Sequence, residues 1–255
     1  MEKIVSAENN QFKFLKKLKQ KKYREESGLY FAEGVKFLDF DINPEYIIIN
    51  EEYLENIEKR VENIDSKKLI LPQQLFKQLT SQENSQGIIL VYKIRYSKLE
   101  EFKDNVVILD KVSDPGNLGT ILRVCDASGF KDIILVKGCV DIYNEKVVRS
   151  SMGSIFGVNF IYLEESEIFK FLKENNYKTF VTALDSSSID YTDVKLTYKN
   201  AFVFGNEGVG VCKEFLDFAD EKVIIPIYGI AESLNVAMAS GIFLYKMREL
   251  INFKV

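Results

Sequence analysis

The chain of 255 residues carries 34 Lys and Arg against 38 Asp and Glu, for a formal net charge of −4, and 46% of it is hydrophobic. That length and apolar content supply packed cores rather than disorder, while the acidic balance excludes a protein that coats nucleic acid through overall charge. The chain has no His, which removes the commonest general base and every Ser-His-Asp mechanism.

Cys125, Cys139 and Cys212 are odd in number, widely spaced and free of any C-x-x-C pairing. Neither a disulfide framework nor a structural metal is expected. Apolar runs such as Val106–Leu109 are strand-length, far below the roughly 20 residues that cross a bilayer. The first residues lack the apolar core and small-residue cleavage site of a secretion signal. The chain reads as cytoplasmic.

Charge is uneven along the chain. Residues 1–100 hold 17 basic and 16 acidic side chains and residues 101–255 hold 17 and 22, a split of +1 and −5. The early basic residues crowd into Lys13, Lys16, Lys17, Lys19, Lys21, Lys22 and Arg24, interleaved with Phe12, Phe14 and Tyr23. The segment is expected to be helical through Phe14, Leu15 and Leu18. It is a candidate phosphate-contacting patch, although a solvated helix face explains the same pattern.

Short β-like runs follow at Leu29–Ala32, Tyr46–Ile49, Lys68–Leu71 and Ile88–Tyr92, alternating with helix-like stretches. They predict a small mixed α/β domain over residues 1–97. The polar stretch 94–104 marks the boundary, and a second domain is expected over residues 104–255.

The second region has a more regular rhythm. Apolar strands are predicted at Val106–Leu109, Ile133–Val136, Phe160–Leu163, Phe180–Leu184, Ala201–Phe204 and Lys222–Ile225. Amphipathic helices lie between them, such as the one with Leu118, Ile121, Leu122 and Cys125 on its apolar face. The pattern implies a largely parallel sheet covered on both faces, whose ligands bind beyond the carboxyl ends of strands.

Three unusual stretches follow strands. After Leu109 comes Asp110-Lys111-Val112-Ser113-Asp114-Pro115-Gly116-Asn117-Leu118-Gly119, with Arg123 four residues on. Pro and Gly force a turn, and Asn117 is a suitable helix cap. Helical spacing sets Gly119 and Arg123 opposite the apolar stripe. After Phe204 comes Gly205-Asn206-Glu207-Gly208-Val209-Gly210, with Glu214 just beyond. This G-x-x-G-x-G order reverses the dinucleotide fingerprint, which disfavours a nicotinamide oxidoreductase. The third stretch runs from Ile225-Pro226 to Ser233-Leu234-Asn235 and a final helix, with Ser233 as the expected cap and Leu234, Ala237, Met238, Gly241 and Tyr245 as the expected buried stripe. A capped helix N-terminus suits an anion or the polar edges of a cofactor. Read singly, each stretch is also an ordinary turn or cap.

Taken together, Asn117-x-Gly119-x-x-x-Arg123, Gly205-Asn206-Glu207-Gly208, and Ile225-Pro226 with Ser233-Leu234-Asn235-Val236 resemble the SpoU (TrmH-like) branch of the SPOUT RNA methyltransferases. The likeness covers roughly residues 105–250. More loosely, Tyr23-Arg24 with Phe31-Ala32-Glu33-Gly34 looks like the substrate-binding domain, akin to ribosomal-protein-like RNA binders, that precedes the catalytic domain in many members. Lys146-Val147-Val148-Arg149-Ser150-Ser151-Met152-Gly153 also matches a stretch often found between the first two motifs.

The resemblance implies a SPOUT domain with a parallel sheet and a deep trefoil knot, and a homodimer whose active site uses both chains. It implies transfer of a methyl group from S-adenosylmethionine to a ribose 2'-hydroxyl of structured RNA, with 23S ribosomal RNA favoured over tRNA. A non-catalytic RNA-binding ribosome-assembly factor is the alternative from another class. The implied catalytic set is Arg123, Asn117, Glu207, Ser233 and Asn235. Implied cofactor contacts are Leu184, Gly205, Asn206, Gly208, Ile225 and Leu234, and the expected RNA contacts are Lys16, Lys19, Lys22, Arg24 and Arg149. Arg123 is expected to stabilise the developing 2'-alkoxide rather than act as a literal base, with Glu207 orienting it or taking up the proton. Ala237-Met238 departs from the Ser-Val frequent in relatives, which weakens any role for a hydroxyl at position 237.

Overall fold

A computed structural model describes residues 1–252; residues 253–255 of the second expected domain lie outside the described residues. In chain order its strands and helices are β1 (Glu2–Lys3), α1 (Asn10–Lys17), α2 (Lys21–Ser27), β2 (Leu29–Glu33), β3 (Tyr46–Asn50), α3 (Leu54–Val61), β4 (Lys67–Leu71), α4 (Gln73–Leu79), β5 (Ile88–Lys93) and β6 (Val106–Leu109). Then come α5 (Pro115–Ser128), β7 (Asp132–Val136), α6 (Glu145–Ser150), β8 (Asn159–Leu163), α7 (Glu165–Glu174), β9 (Lys178–Thr182), β10 (Ile189–Asp190), β11 (Asn200–Phe204), α8 (Lys213–Phe218), β12 (Glu221–Ile224) and α9 (Val236–Asn252). No helix among the described residues is long and apolar enough to cross a membrane.

The chain divides into two compact units, one formed by Met1–Arg95 with Asp141–Gly153 and the other by Tyr96–Val140 with the chain from Ser154 onward. The first unit contains a five-stranded sheet in the order β1-β4-β3-β5-β2, with β5 antiparallel to both of its neighbours. Its core joins Phe12, Leu15 and Leu18 of the N-terminal helical segment to Ile48, Leu69, Phe76 and Val91. The helix α1 starts where the Asn9 side chain accepts from the backbone N–H groups of Gln11 and Phe12, satisfying donors that the helix leaves open.

The excursion 141–153 belongs to this first unit. Tyr143 packs on Tyr30 with ring centroids 4.3 Å apart, and its hydroxyl accepts from the Arg95 backbone N–H at 2.8 Å. Asp141 pairs with Arg24. The sequence pattern gives no hint of this allegiance, because Tyr143 and Asp141 lie more than a hundred residues from Tyr30 and Arg24.

The second unit is built on a seven-stranded, wholly parallel sheet in the order β10-β12-β9-β11-β6-β7-β8. Its central strands are buried throughout, as expected of a sheet covered on both faces. The chain moves outward from β6 through β7 to β8 and then returns to the far side of β11. Beside β6 the direction of winding reverses, so a crevice opens there beyond the strand carboxyl ends.

Three local expectations are corrected. The cap of α5 is Asp114, whose side chain accepts from the Asn117 N–H at 2.8 Å, and Pro115 opens the helix. Asn117 is thereby freed for other contacts. The cap of α9 is Asn235, which accepts from Ala237 and Met238, rather than Ser233. The buried face of α9 consists of Val236, Ala237, Ser240, Phe243, Leu244 and Met247. Met238 and Tyr245, placed on the apolar stripe by helical spacing, are 61% and 55% exposed. An apolar stripe can face a partner as readily as a core, and periodicity alone does not tell which.

Candidate active site

The crevice is a pocket of about 650 Å³ formed by the chain leaving β9, β11 and β12 and by the start of α9. Of the implied cofactor contacts, Leu184, Gly205, Asn206, Gly208, Ile225 and Leu234 all line it, and so do Glu207, Ser233 and Asn235. Leu184 and Ile225 lie just past strands that end at Thr182 and Ile224, one or two residues earlier than the sequence predicts.

The stretch 205–210 folds on itself. Asn206 and Gly210 form an isolated antiparallel bridge, and the Asn206 carbonyl of the side chain accepts from the N–H groups of Gly208 and Val209. A Cβ on Gly205 would stand 2.2 Å from the Gly210 carbonyl carbon, so only glycine permits this neck. Gly210 takes φ +72, a left-handed conformation that glycine adopts without steric cost.

Glu207 is held at the start of α5. Its Oε2 accepts from the Ser113 N–H at 3.1 Å and the Ser113 hydroxyl at 3.0 Å, and its Oε1 accepts from the Asp114 N–H at 3.1 Å and Asn117 Nδ2 at 2.9 Å. Partial burial pushes its pKa up, but hydrogen bonds from Asn117, its own amide, Ser113 and Asp114 outweigh that and hold it at about 2. The carboxylate is therefore ionised and a weak proton acceptor. Its bonds go to Ser113, Asp114 and Asn117 around the start of α5, with none to Arg123 among the described residues, so the group positions Asn117 rather than Arg123.

Asn117 Oδ1 in turn accepts from Asn235 Nδ2 at 2.9 Å. A continuous chain of hydrogen bonds thus runs Glu207, Asn117, Asn235 and the first turn of α9, joining all three sequence motifs. Arg123, one and a half turns further along α5, is exposed, does not line the pocket and makes no side-chain hydrogen bond or ion pair among the described residues. Ser113, through its N–H and hydroxyl, and Asp114, through its N–H, complete the grip on Glu207; they escaped the sequence reading because the pairing is with a residue more than ninety positions away.

Pocket electrostatics narrow the ligand. Asp185, Glu207 and Glu232 line it, and among the described residues no Lys or Arg does. Asp185 is held well below the usual carboxylate range by the N–H of Ser187, the Lys222 ammonium and the Ser187 hydroxyl. The Lys222 ammonium beside the pocket is paired with Asp185, which leaves a polyphosphate nucleotide no free counter-charge in the described lining. A ligand with an apolar body and positive charge fits, because its cation meets carboxylates and its body meets Leu184, Ile225, Ile227 and Leu234.

In the first unit the expected RNA contacts separate. Lys16 and Lys22 are exposed; Lys22 pairs with Glu26 and lies 6.0 Å from the Tyr23 ring centroid. Lys19 donates to the carbonyls of Leu79 and Thr80, and half-buried Arg149 donates to Ser81 Oγ at 3.2 Å. Arg24 is only 4% exposed and spends its guanidinium on Asp141 and the carbonyls of Leu18 and Lys19. It is a structural residue and does not present itself to phosphate.

Two family models match the chain: the SpoU rRNA Methylase family over residues 104–245 and the MRM3-like substrate binding domain over residues 9–90. A relative named 23S rRNA (guanosine(2553)-2'-O)-methyltransferase RlmP, from Bacillus subtilis, is 33% identical over 97% of this chain and 100% of its own length. A tRNA (guanosine(18)-2'-O)-methyltransferase of Thermus thermophilus is 37% identical, but over 56% of this chain and 73% of its own. Among solved structures, the AdoMet-bound rRNA methyltransferase from Sinorhizobium meliloti superposes with a TM-score of 0.86 at 28% identity, covering 98% of each chain. With the second and third motifs lining one strand-end pocket, the first tied to them through Asn117, and the family model spanning more than half the chain, this protein belongs to the SpoU rRNA methylase family.

Proposed function

We propose that the protein methylates a ribose 2'-hydroxyl of 23S ribosomal RNA, with S-adenosylmethionine as methyl donor, and that it works as a homodimer. The observation that carries the reading is the pocket: glycine-lined, walled by aliphatic side chains, edged by three carboxylates and, among the described residues, lined by no Lys or Arg. Leu184, Gly205, Ile225 and Leu234 would hold the cofactor, largely through backbone and aliphatic contacts, with the chain threaded through a knot at these loops. Its sulfonium supplies an activated methyl group.

The chain's own task is to bring the ribose oxygen into line and to stabilise the charge it gains on losing its proton. Asn235 reaches the pocket and is fixed by Asn117, which Glu207 fixes in turn. Arg123 supplies the fixed positive charge that favours the alkoxide. Because Arg123 lies off its own pocket and α5 packs beside α9, it serves the pocket of a second copy.

That second copy is seated on the exposed row formed by Leu234, just before α9, with Met238, Ile242 and Tyr245 on the helix. Apolar residues in such a row are costly to leave in water. Ribosomal RNA is preferred to tRNA because the match to the Bacillus subtilis enzyme runs through the first unit as well, whereas the match to the Thermus thermophilus tRNA enzyme covers little more than half the chain. Exposed Lys16 and Lys22 on that unit offer phosphate contacts. The test is to incubate purified protein and labelled S-adenosylmethionine with ribosomal RNA and map 2'-O-methyl sites against RNA from cells lacking the gene. Absence of any gene-dependent 2'-O-methyl nucleotide in 23S RNA refutes the reading.

A further inference from the structure

The second unit holds a carboxylate that plays no part in the site described above. Asp110 follows β6 directly and is 1% exposed. Its backbone N–H donates to the Phe204 carbonyl at 2.8 Å, and its Oδ2 accepts from the Cys212 backbone N–H at 2.7 Å. Phe204 is the last residue before the glycine loop 205–211, and Cys212 is the first residue after it. The residue that follows β6 therefore staples the departure and the return of the loop that lines the pocket.

The surroundings show that this is more than packing. Asp110 Oδ1 is buried without a hydrogen-bond partner, and a half-used buried carboxylate costs stability unless position repays it. Lys111, adjacent in sequence and in the left-handed region at φ 54, pairs with Glu165 at 2.7 Å. An oxygen of Asp110, an oxygen of Glu165 and the Cys212 sulfur lie within 4.8 Å of one another, so the Lys111 ammonium is the balancing charge in this cluster. Burial drives the Cys212 thiol up to about 11, to which hydrogen bonds to Asp110 and Glu214 contribute, so the sulfur is not a competing anion.

We propose that Asp110 is a positioning residue for the methyl donor: by closing the loop at Cys212 it fixes the backbone groups that hold S-adenosylmethionine, while Glu207, gripping α5, serves the transfer step. The two carboxylates then divide cofactor affinity from turnover. The proposal rests on the reading that this pocket takes S-adenosylmethionine.

The test uses the full-length protein with Asp110→Ala and Asp110→Asn, reading the calorimetric Kd for S-adenosylmethionine, kcat at saturating cofactor and KM for RNA. Asp110→Ala is expected to raise Kd roughly tenfold or more, the value of a lost charge-assisted bond, with kcat and RNA KM within about threefold. Asp110→Asn keeps an acceptor oxygen and is expected to bind cofactor within about threefold of the parent. Unchanged Kd in Asp110→Ala, or Asp110→Asn as impaired as Asp110→Ala, overturns the proposal. Should Asp110→Ala fail to fold, amide hydrogen exchange of the parent decides: the Cys212 amide is expected to be protected, and cofactor to slow exchange across 206–211 further. A Cys212 amide exchanging at the rate of an open loop overturns it. A parent that binds no S-adenosylmethionine defeats the pocket reading itself, whatever the Cys212 amide shows, and the proposal with it.

Discussion

Asn117 and Asn235 lie 118 residues apart and share a side-chain hydrogen bond of 2.9 Å. Each amide is committed at its other end, Asn117 to Glu207 and Asn235 to the first N–H groups of α9. Asn235 is thus oriented from both sides. Asn117→Ala is expected to lower single-turnover methyl transfer by about 100-fold, the usual loss when a preorganised polar contact is removed from a reacting centre. Cofactor Kd should stay within about threefold, because Asn117 does not line the pocket. Equal losses in binding and turnover would show that the pair shapes the pocket instead.

Glu207 makes a pH prediction. Its folded pKa of about 2 lies below that of an unfolded Glu, so the ionised carboxylate favours the native state. That contribution is complete above the unfolded value and is lost as pH falls through about 2. Glu207→Gln removes it. Urea unfolding of parent and variant should differ by a constant amount near neutrality, and the gap should close between about pH 4.5 and pH 2. Taking the difference cancels other depressed carboxyls such as Asp185 and Glu165.

Arg24 should act on stability and not on RNA. Its side chain is 5% exposed and that of Asp141 13%, so Arg24→Ala strands a buried carboxylate at a cost of about 3–5 kcal/mol, readable as a lower urea midpoint. Lys22→Ala should leave the midpoint alone and reduce the salt slope of RNA binding by about one. The reverse pattern would restore Arg24 to the RNA surface.

These contrasts mark how far the residues speak for themselves. Strand positions were legible because buried parallel strands are continuous apolar runs: Val106–Leu109 coincides with β6, and five of the other predicted strands of the second unit fall within two residues of β7, β8, β9, β11 and β12. The pocket was legible because Gly205, Asn206 and Ile225 follow strand ends and Leu234 lies just before the last helix. What could not be read was anything set by tertiary pairing. Asp114 displaced Asn117 as cap because Pro115 already fixed the helix start. The basic cluster near Lys22 gave no sign that Arg24 turns inward, since its partner Asp141 belongs to a distant segment. Asp110 looked like a strand-end residue, and only the return of the chain at Cys212 reveals its contact.

The exposed row on α9 yields a prediction about assembly. Met238, 61% exposed, sits between Leu234 and Ile242 on that row. A charge placed there would be buried unpaired if a second copy covers it. Met238→Glu is expected to shift sedimentation from dimer to monomer with an unchanged circular dichroism spectrum. A parent that sediments as a monomer at micromolar concentration would remove the dimer from the reading.

The position of Arg123 then sets the sharpest test. On its own chain it points to solvent from α5 and stands apart from the pocket, so a site that needs it must borrow it from the second copy. Arg123→Ala and Asn235→Ala should each be inactive alone while keeping the dimer. When the two are co-folded in equal amounts, half of the dimers are mixed. In each mixed dimer one pocket has an intact Asn235 and faces the Arg123 of the other chain, whereas the other pocket lacks both. Activity should therefore return to about one quarter of the parent's, the share of intact sites in a two-fold symmetric assembly. If Arg123 instead served its own pocket, every site in the mixture would lack one residue and no activity would return, and the arginine would have to reach the pocket within its own chain by a rearrangement of α5.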